Sequence, residues 1–451
     1  MALKSIILAA GQGTRMVSKK PKVLHPVAGV PMVFHALNAV KDLVDGKPLL
    51  VVGWGAEQVQ DEVGDQADYV LQQDQLGTGH AVSVARGLLE GKADRILVTF
   101  ADMPLLTQPT LKKLCEMHQN SDSPVTMTSF IGDEARGFGR VLRDEKGFVS
   151  AIVEQADATP EQLEIREYNV SAYCFNADWL WKALGQIPVS PKGEYYLTDV
   201  VALAVQEGFA VNSMVLDDPS EGIGLNTRVH LATVDRVMRD RINQKWMLAG
   251  VTIVDPQTTT IEANVEIAMD TIIYPNTYLR GNTTIGEDCK IGPDTTIIGS
   301  EVGNQVRLIS SLIEYAKIHD RVTIGPFCHL RKGAELADGV HLGNFGEVKD
   351  SYLGSGTKMG HFSYIGDAKI GVNVNIGAGT ITCNYDGEKK NLTEIGDDVF
   401  VGSDTMLVAP LKIGDRSTTG AGSVVTHDVP DDTLVIGVPA KVVRKLEKSE
   451  N

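Results

Sequence analysis

From Ile273 to Val425 the chain returns an aliphatic residue at every sixth position, often with glycine directly behind it. The register runs Ile273, Leu279, Ile285, Ile291 and Ile297. It resumes as Ile318, Ile324, Leu330, Leu336, Leu342 and Val348, and closes as Ile395, Val401, Leu407 and Ile413. Glycine follows at 286, 292, 325, 343, 396, 402 and 414. A period of six fits neither an α-helix nor an alternating strand. It predicts a parallel β-helix, whose stacked coils bury one continuous core. The fourth residue after each aliphatic is small or branched: Thr283, Cys289, Thr295, Val322, Cys328, Ala334. A tight triangular coil has room for little more, so Cys289 and Cys328 read as core filling. The repeat glycines read as turn residues. The period slips at Val302, and a polar excursion over 382–393 breaks it, as a loop on a solenoid's binding face would.

Residues 1–225 follow another pattern. Short apolar runs at 6–10, 49–53, 95–100, 125–130 and 170–175 alternate with helical stretches at 33–44, 78–89, 108–119 and 198–207. Such alternation predicts a mostly parallel α/β sheet, Rossmann-like, with its site at the carboxyl ends of the strands. Leu231, Val234, Met238 and Trp246 are spaced for one helix, which Gly250 ends. The expected organisation is a domain at 1–227, a linker helix at 228–250 and a β-helix domain at 251–451, closing in a charged tail over 445–451.

A chain of 451 residues with 43% hydrophobic and 22% charged positions is an ordinary soluble composition. The net charge of −16 excludes broad nucleic-acid binding, which needs a basic face, but leaves room for local phosphate pockets. Five dispersed cysteines without a C-x-x-C pair suit a reducing cytoplasm. No apolar run is long enough for a membrane helix, and the run Ser5 to Ala10 reads as a buried strand rather than a signal.

After the first strand comes Leu8-Ala9-Ala10-Gly11-Gln12-Gly13-Thr14-Arg15-Met16, and then Pro21-Lys22. Glycines after a strand let backbone amides approach phosphate oxygens, and Arg15 and Lys22 add two cations. Neither a Walker A sequence nor a dinucleotide fingerprint is present. The string, together with Gln72 and Leu76-Gly77-Thr78-Gly79-His80, resembles the sugar nucleotidyltransferase family. That resemblance implies that Leu8, Ala9, Ala10, Gly11, Arg15 and Lys22 hold a nucleoside triphosphate, while Gln72, Gly77 and Thr78 face its base. Gln72 could match uracil with either end of its amide. The resemblance also implies that Gly139, Glu154, Asn169, Tyr196 and Thr198 hold the sugar, and that Asp102 and Asn226 ligate Mg²⁺. Read alone, Asp102 could cap a turn and Asn226 a helix. The family usually has glycine before the metal-binding Asp and two residues after the sugar-binding Asn; Ala101 and Ser171 stand there.

Within the solenoid, Gly360-His361-Phe362-Ser363-Tyr364-Ile365-Gly366-Asp367 interrupts the repeat with polar and aromatic residues. Glu347 lies about one coil earlier and Arg331 about one before that, so a carboxylate-oriented imidazole could act as general base near pH 7. Arg331 and Lys349 offer a cation pair for a phosphate. His319, His329 and His341 read as buried structural residues, since their spacing supports no three-histidine zinc site. These strings, with Asn375-Ile376-Gly377-Ala378-Gly379 and the Cys383-Asn384-Tyr385-Asp386 loop, resemble bifunctional N-acetylglucosamine-1-phosphate uridyltransferase/glucosamine-1-phosphate N-acetyltransferases over about residues 3–443.

That resemblance implies a left-handed β-helix, a homotrimer and a site between subunits. It makes His361 the base and Glu347 its orienter, with Arg331, Lys349, Tyr364, Asn375 and Lys390 on glucosamine phosphate. Ala378, Asn384, Tyr385, Ser403 and Ala421 would line acetyl-CoA. UTP and acetyl-CoA are the implied co-substrates, with no nucleic-acid or membrane partner. A single-function nucleotidyltransferase using its β-helix only for assembly or regulation is the alternative.

Overall fold

The computed structural model describes residues 2–133 and 137–445; positions 446–451 of the expected charged tail lie outside the described residues. The chain falls into two compact units, Met1–Met238 and Arg239–Asn451.

In the first unit seven strands lie in the order Asn212–Val215, Val125–Ile131, Glu167–Asn176, Arg95–Phe100, Leu3–Ala9, Leu49–Val52, Asp68–Leu71. Only Glu167–Asn176 runs antiparallel to its neighbours in this row, which makes the sheet mixed. Along the first strand Ile7 and Ala9 enter one hydrophobic core, while Ile6, Leu8 and Ala10 enter the other. Burial on both faces is why this strand reads as an unbroken apolar run rather than an alternation. Leu3–Ala9 pairs in parallel with Leu49–Val52 on one side and Arg95–Phe100 on the other. The chain therefore leaves its first strand toward opposite halves of the sheet, opening a crevice beyond Ala9.

The helix Gln108–Gln119 coincides with the expected one. The stretch expected as one helix over 78–89 divides into Thr78–Ser83 and Arg86–Leu89. Ala85 N–H bonds to Val82 O (3.1 Å), a three-residue step that interrupts the α register. An unforeseen hairpin, Arg140–Arg143 with Val149–Val153, joins the sheet through Arg140 opposite Tyr168. It matters because Gly139 and Glu154 stand at its two ends.

In the second unit every third strand pairs in parallel, giving three sheets of 12, 10 and 9 strands. Ile273, Ile291, Leu308 and Ile324 stack along one sheet. Their spacing shortens by a residue at Leu308 and again at Ile324, so the repeat slips more often than at Val302 alone. All six small or branched positions, including Cys289 and Cys328, are buried. The strand Ala440–Lys445 folds back antiparallel on Thr433–Gly437 and ends the first sheet.

The repeat glycines have a different cause from the one expected. Gly292 and Gly325 have positive φ (98° and 103°), but Gly286, Gly343, Gly396, Gly402 and Gly414 do not. They are glycine because the next coil passes too close. A Cβ on Gly402 would stand 2.5 Å from Thr419 O and 2.7 Å from the Ala421 nitrogen. The close approach serves a ladder of carboxylates: Asp397, Asp415 and Asp431 accept N–H bonds from Val372 (2.7 Å), Asp397 (2.9 Å) and Asp415 (3.0 Å). Gly402→Ala is expected to lower stability by about 1–3 kcal/mol in urea unfolding. Gly360→Ala, where a Cβ meets nothing within 4 Å, should leave stability nearly unchanged.

His319, His329 and His341 are not buried. Each neighbours an inward aliphatic (Ile318, Leu330, Leu342), so alternation along the strand turns it outward. His319 bonds Glu335 (2.8 Å), His329 bonds Glu314 (2.9 Å) and His341 bonds Thr323 (2.8 Å).

The helix Arg228–Leu248 contributes to both units. Val234 joins a core of the first and Trp246 the core of the second. No helix among the described residues is long and apolar enough to cross a membrane.

Candidate active sites

The crevice of the first unit is a cavity of about 430 Å³. The phosphate loop, Leu8 to Gly11 with Lys22, forms one side, and Gln72, Gly77 and Thr78 form another. Asp102 lies at the end of its strand, and Gly139, Glu154, Asn169, Tyr196 and Thr198 complete the wall. Arg15 is not part of that wall. It is exposed on the short turn Thr14–Met16, held outward between Gly13 and Val17, both left-handed (φ 64° and 47°).

Gly13 and Gly77 are required for different reasons. A Cβ on Gly13 would meet Lys22 Cβ at 2.7 Å, so glycine folds the loop over the lysine. Gly77 has φ +97°, and a Cβ there would stand 2.6 Å from Tyr195 O, so glycine packs the base side against the sugar side. Gln72 is buried, and its amide nitrogen donates to Gly77 O (3.1 Å) and contacts His80 Nδ1 (3.0 Å). The donor end is thereby engaged. The carbonyl end remains, which suits the N3–H of uracil and not the bare N3 of cytosine. Gln75, unforeseen from the sequence, ties base and phosphate sides by donating to Ala10 O (2.9 Å).

The Lys22 ammonium is bound by Asp102 Oδ2 (2.5 Å) and Asn226 Oδ1 (3.3 Å). Leu225 N–H bonds to Asp102 O (2.9 Å), which brings the Asn226 segment to the end of the Asp102 strand. The capping role open to Asn226 falls instead to Thr227, whose hydroxyl accepts the His230 N–H (3.2 Å). Asn226 presents its side-chain oxygen to Lys22, and it is not among the residues that line the cavity. A carboxylate and an amide oxygen around one positive charge form a donor set that fits a hard divalent cation. Among the described residues no group of three or more His, Cys, Asp or Glu could hold a metal.

At the sugar end, burial pushes the Glu154 carboxyl above its ordinary pKa; a hydrogen bond from Thr198 (3.2 Å) opposes this, and Asp199 and Asp157 reinforce it. The folded state therefore holds this proton more tightly than the unfolded chain, and ionised Glu154 is destabilising at neutral pH. Glu154→Gln is expected to raise the unfolding midpoint of this unit at pH 7. The gain should shrink as pH falls through the raised Glu154 pKa, as thermal unfolding at several pH values would show. Asn169 is buried and donates to the Tyr173 hydroxyl (2.6 Å).

On the β-helix, Gly346–Lys349 lies in parallel beside Ser363–Gly366, with Glu347 opposite Tyr364 and Lys349 opposite Gly366. Arg331 Nη1 donates to Glu347 Oε1 (2.9 Å). Within the chain this oxygen of the Glu347 carboxylate is thus held by a guanidinium that follows the neighbouring strand of the same sheet. His361 is exposed at the corner that precedes Ser363. The Lys349 ammonium beside Lys390 holds the pKa of Lys390 below the ordinary lysine value. Two crowded ammonium groups favour a polyanionic ligand between them.

The excursion that breaks the repeat is knotted by Asp386, which accepts from Glu388 N (2.9 Å), Lys389 N (2.8 Å) and Asn391 Nδ2 (2.8 Å). These bonds hold its carboxyl at about 2. The loop delivers Lys390 within 3.9 Å of Asp367. It also places Asn384 against Asp367 (2.5 Å) and the Tyr364 hydroxyl (3.4 Å). Asp367 went unassigned in the sequence, although it closes the motif around His361. Tyr385 is exposed and donates to Gly387 O (2.6 Å).

Ala378, Ser403 and Ala421 stack above the His361–Phe362 corner on successive coils. Gly379 N bonds Phe362 O (2.7 Å), Asp404 N bonds Ala378 O (2.6 Å) and Gly422 N bonds Ser403 O (2.8 Å). Asn375 belongs to another sheet, beside Lys358 and Phe400. Glu347, Lys349 and Tyr364 thus share one sheet, the Ala378–Ser403–Ala421 column runs along the corner that leads into that sheet, and Asn375 lies on a different one.

The family profile described as MobA-like NTP transferase domain matches residues 5–166, and the bacterial transferase hexapeptide profile matches 259–299 and 392–427. The chain is 47% identical over 433 residues to "Bifunctional protein GlmU" of Heliobacterium modesticaldum, covering 96% of this chain and 94% of that protein. It is 45% identical over 433 residues to the protein of that name from a Geobacillus species, covering 96% and 94%. With that from Streptococcus agalactiae serotype V the identity is 44% over 438 residues, covering 97% and 95%.

Proposed function

Since the chain belongs to the GlmU family of bifunctional proteins, we infer that it makes UDP-N-acetylglucosamine by two successive transfers. We assign uridyl transfer to residues 1–227 and acetyl transfer to the left-handed β-helix of 251–451, with 228–250 as linker. The reading rests above all on two separate charged constellations, Lys22 with the oxygen donors of Asp102 and Asn226, and the cations Lys349, Lys390 and Arg331.

In the first reaction the amine of glucosamine-1-phosphate attacks the thioester carbonyl of acetyl-CoA. His361 takes the amine proton, the C–S bond breaks, and coenzyme A leaves as the thiol. Arg331, Lys349 and Lys390 hold the phosphate, with Tyr364 and Asn375 on the sugar. Glu347 steadies Arg331. Asn384, Tyr385, Ala378, Ser403 and Ala421 line the acyl group and coenzyme. A second copy of the chain supplies the missing wall, so the active form is an oligomer, a homotrimer by family resemblance.

In the second reaction a phosphate oxygen of N-acetylglucosamine-1-phosphate attacks the α-phosphorus of UTP, and the bond to the β-phosphate breaks to release pyrophosphate. Lys22 and the loop amides orient the triphosphate, Gln72 accepts from uracil, and Asn169, Glu154, Thr198 and Tyr196 hold the sugar. Arg15 joins on loop closure. Asp102 and Asn226 would hold Mg²⁺, which supplies positive charge to the phosphates. Cytoplasmic action is part of the same proposal; among the described residues no helix is long and apolar enough to cross a membrane.

Incubation with glucosamine-1-phosphate, acetyl-CoA, UTP and Mg²⁺, followed by mass spectrometry of the nucleotide sugar, tests the reading. UDP-N-acetylglucosamine is the expected product. Product formed only from pre-acetylated sugar phosphate would favour the single-function alternative.

A further inference from the structure

The sugar end of the nucleotide cavity holds a residue that the chemistry above does not use. Ser171 adopts φ +62°, a left-handed conformation that glycine takes freely and serine seldom does. It sits where the pairing register between Glu167–Asn176 and Val125–Ile131 shifts, between Asn169 and Tyr173. Its N–H bonds to Asn169 Oδ1 (3.2 Å), which fixes the bulge through the amide next to it. Its side chain reaches the Tyr173 hydroxyl, and Ser171 lines the cavity alongside Glu154, Asn169 and Tyr173. Bulges re-aim side chains beside active sites, and non-glycine residues persist in the left-handed region where a function holds them there.

We propose that Ser171 reads the sugar: its hydroxyl, carried into the cavity by the left-handed bulge, hydrogen-bonds a ring substituent of the bound N-acetylglucosamine phosphate. The inference rests on the uridyl-transfer reading and adds a specificity residue to it. Asn169 and Tyr173 engage each other, so their capacity to meet further sugar groups is reduced. The Ser171 hydroxyl also meets Tyr173, but a hydroxyl with one donor and two acceptor sites keeps capacity for a second partner at the same wall.

Full-length Ser171→Ala and Ser171→Gly proteins provide the test, by calorimetric titration with UDP-N-acetylglucosamine and with UTP and by uridyl-transfer rates. Loss of one hydrogen bond should raise the Kd of UDP-N-acetylglucosamine and the KM of N-acetylglucosamine-1-phosphate roughly 3- to 10-fold in both variants. The Kd of UTP should stay within about 2-fold, because a change that small lies below the loss of a hydrogen bond. Ser171→Gly should also raise the unfolding midpoint, since glycine relieves the strain. Unchanged sugar-nucleotide binding in both variants, or equal weakening of UTP, overturns the proposal. Failure of the unaltered protein to bind UDP-N-acetylglucosamine would instead overturn the uridyl-transfer reading.

Discussion

Asp102→Ala should reduce pyrophosphate release from UTP and N-acetylglucosamine-1-phosphate by roughly 10²- to 10³-fold or more, the range seen when one preorganised charge-stabilising group is removed. Acetyl transfer should be unaffected. The size of the loss follows from how many partners share the carboxylate. It binds the Lys22 ammonium at 2.5 Å, with Asn226 on the same charge at 3.3 Å. Without it the lysine loses its anchor and a divalent cation keeps one protein ligand instead of two. The fold should survive, because the Leu225 N–H that positions Asn226 bonds to the backbone oxygen of residue 102, not to its side chain. The paired assay is pyrophosphate release against free-thiol release from acetyl-CoA. A fall in both would show that the two activities do not occupy separate sites.

His361→Ala should produce the opposite split: acetyl transfer falls roughly 10²- to 10⁴-fold, as for loss of a general base, and uridyl transfer persists. His361 is exposed at a corner of the β-helix and belongs to no core, so its removal leaves the coil packing intact. The Arg331 guanidinium bonds one Glu347 oxygen and leaves the His361 ring at an exposed corner. Added imidazole should therefore partly restore the variant, the vacated corner being open to solvent. Persistence of acetyl transfer in the variant would remove His361 from the reaction.

Much of this was legible in the sequence because it follows from period and loop chemistry. The six-residue spacing anticipated the β-helix, and strand-loop strings around Gly11, Gln72 and Asp102 anticipated most of the cavity wall. What escaped was decided by long-range partners. The reason for Gly402 is an oxygen on Thr419, one coil away. Glu347 had two potential partners at similar sequence distance, His361 and Arg331, and only the sheet register selects the guanidinium. For Asn226 the cap and the ligand were both open from local sequence, and only the structure shows that Thr227 holds the capping position. Arg15 belonged to the right string, but it sits exposed between two left-handed residues and does not line the cavity.

The carboxylate ladder means that each turn of the β-helix is fastened chiefly to the turn directly before or after it. A column held by nearest neighbours opens like a zip, from its ends inward. Residues 331–421, to which we assign the proposed acetyl transfer, lie several turns from the start of the column and are followed by the terminal hairpin. Fraying from the first coil would reach them last, whereas Ala421 stands in the final coil, where the antiparallel pair Thr433–Gly437 and Ala440–Lys445 closes the column and has to resist unzipping from that end.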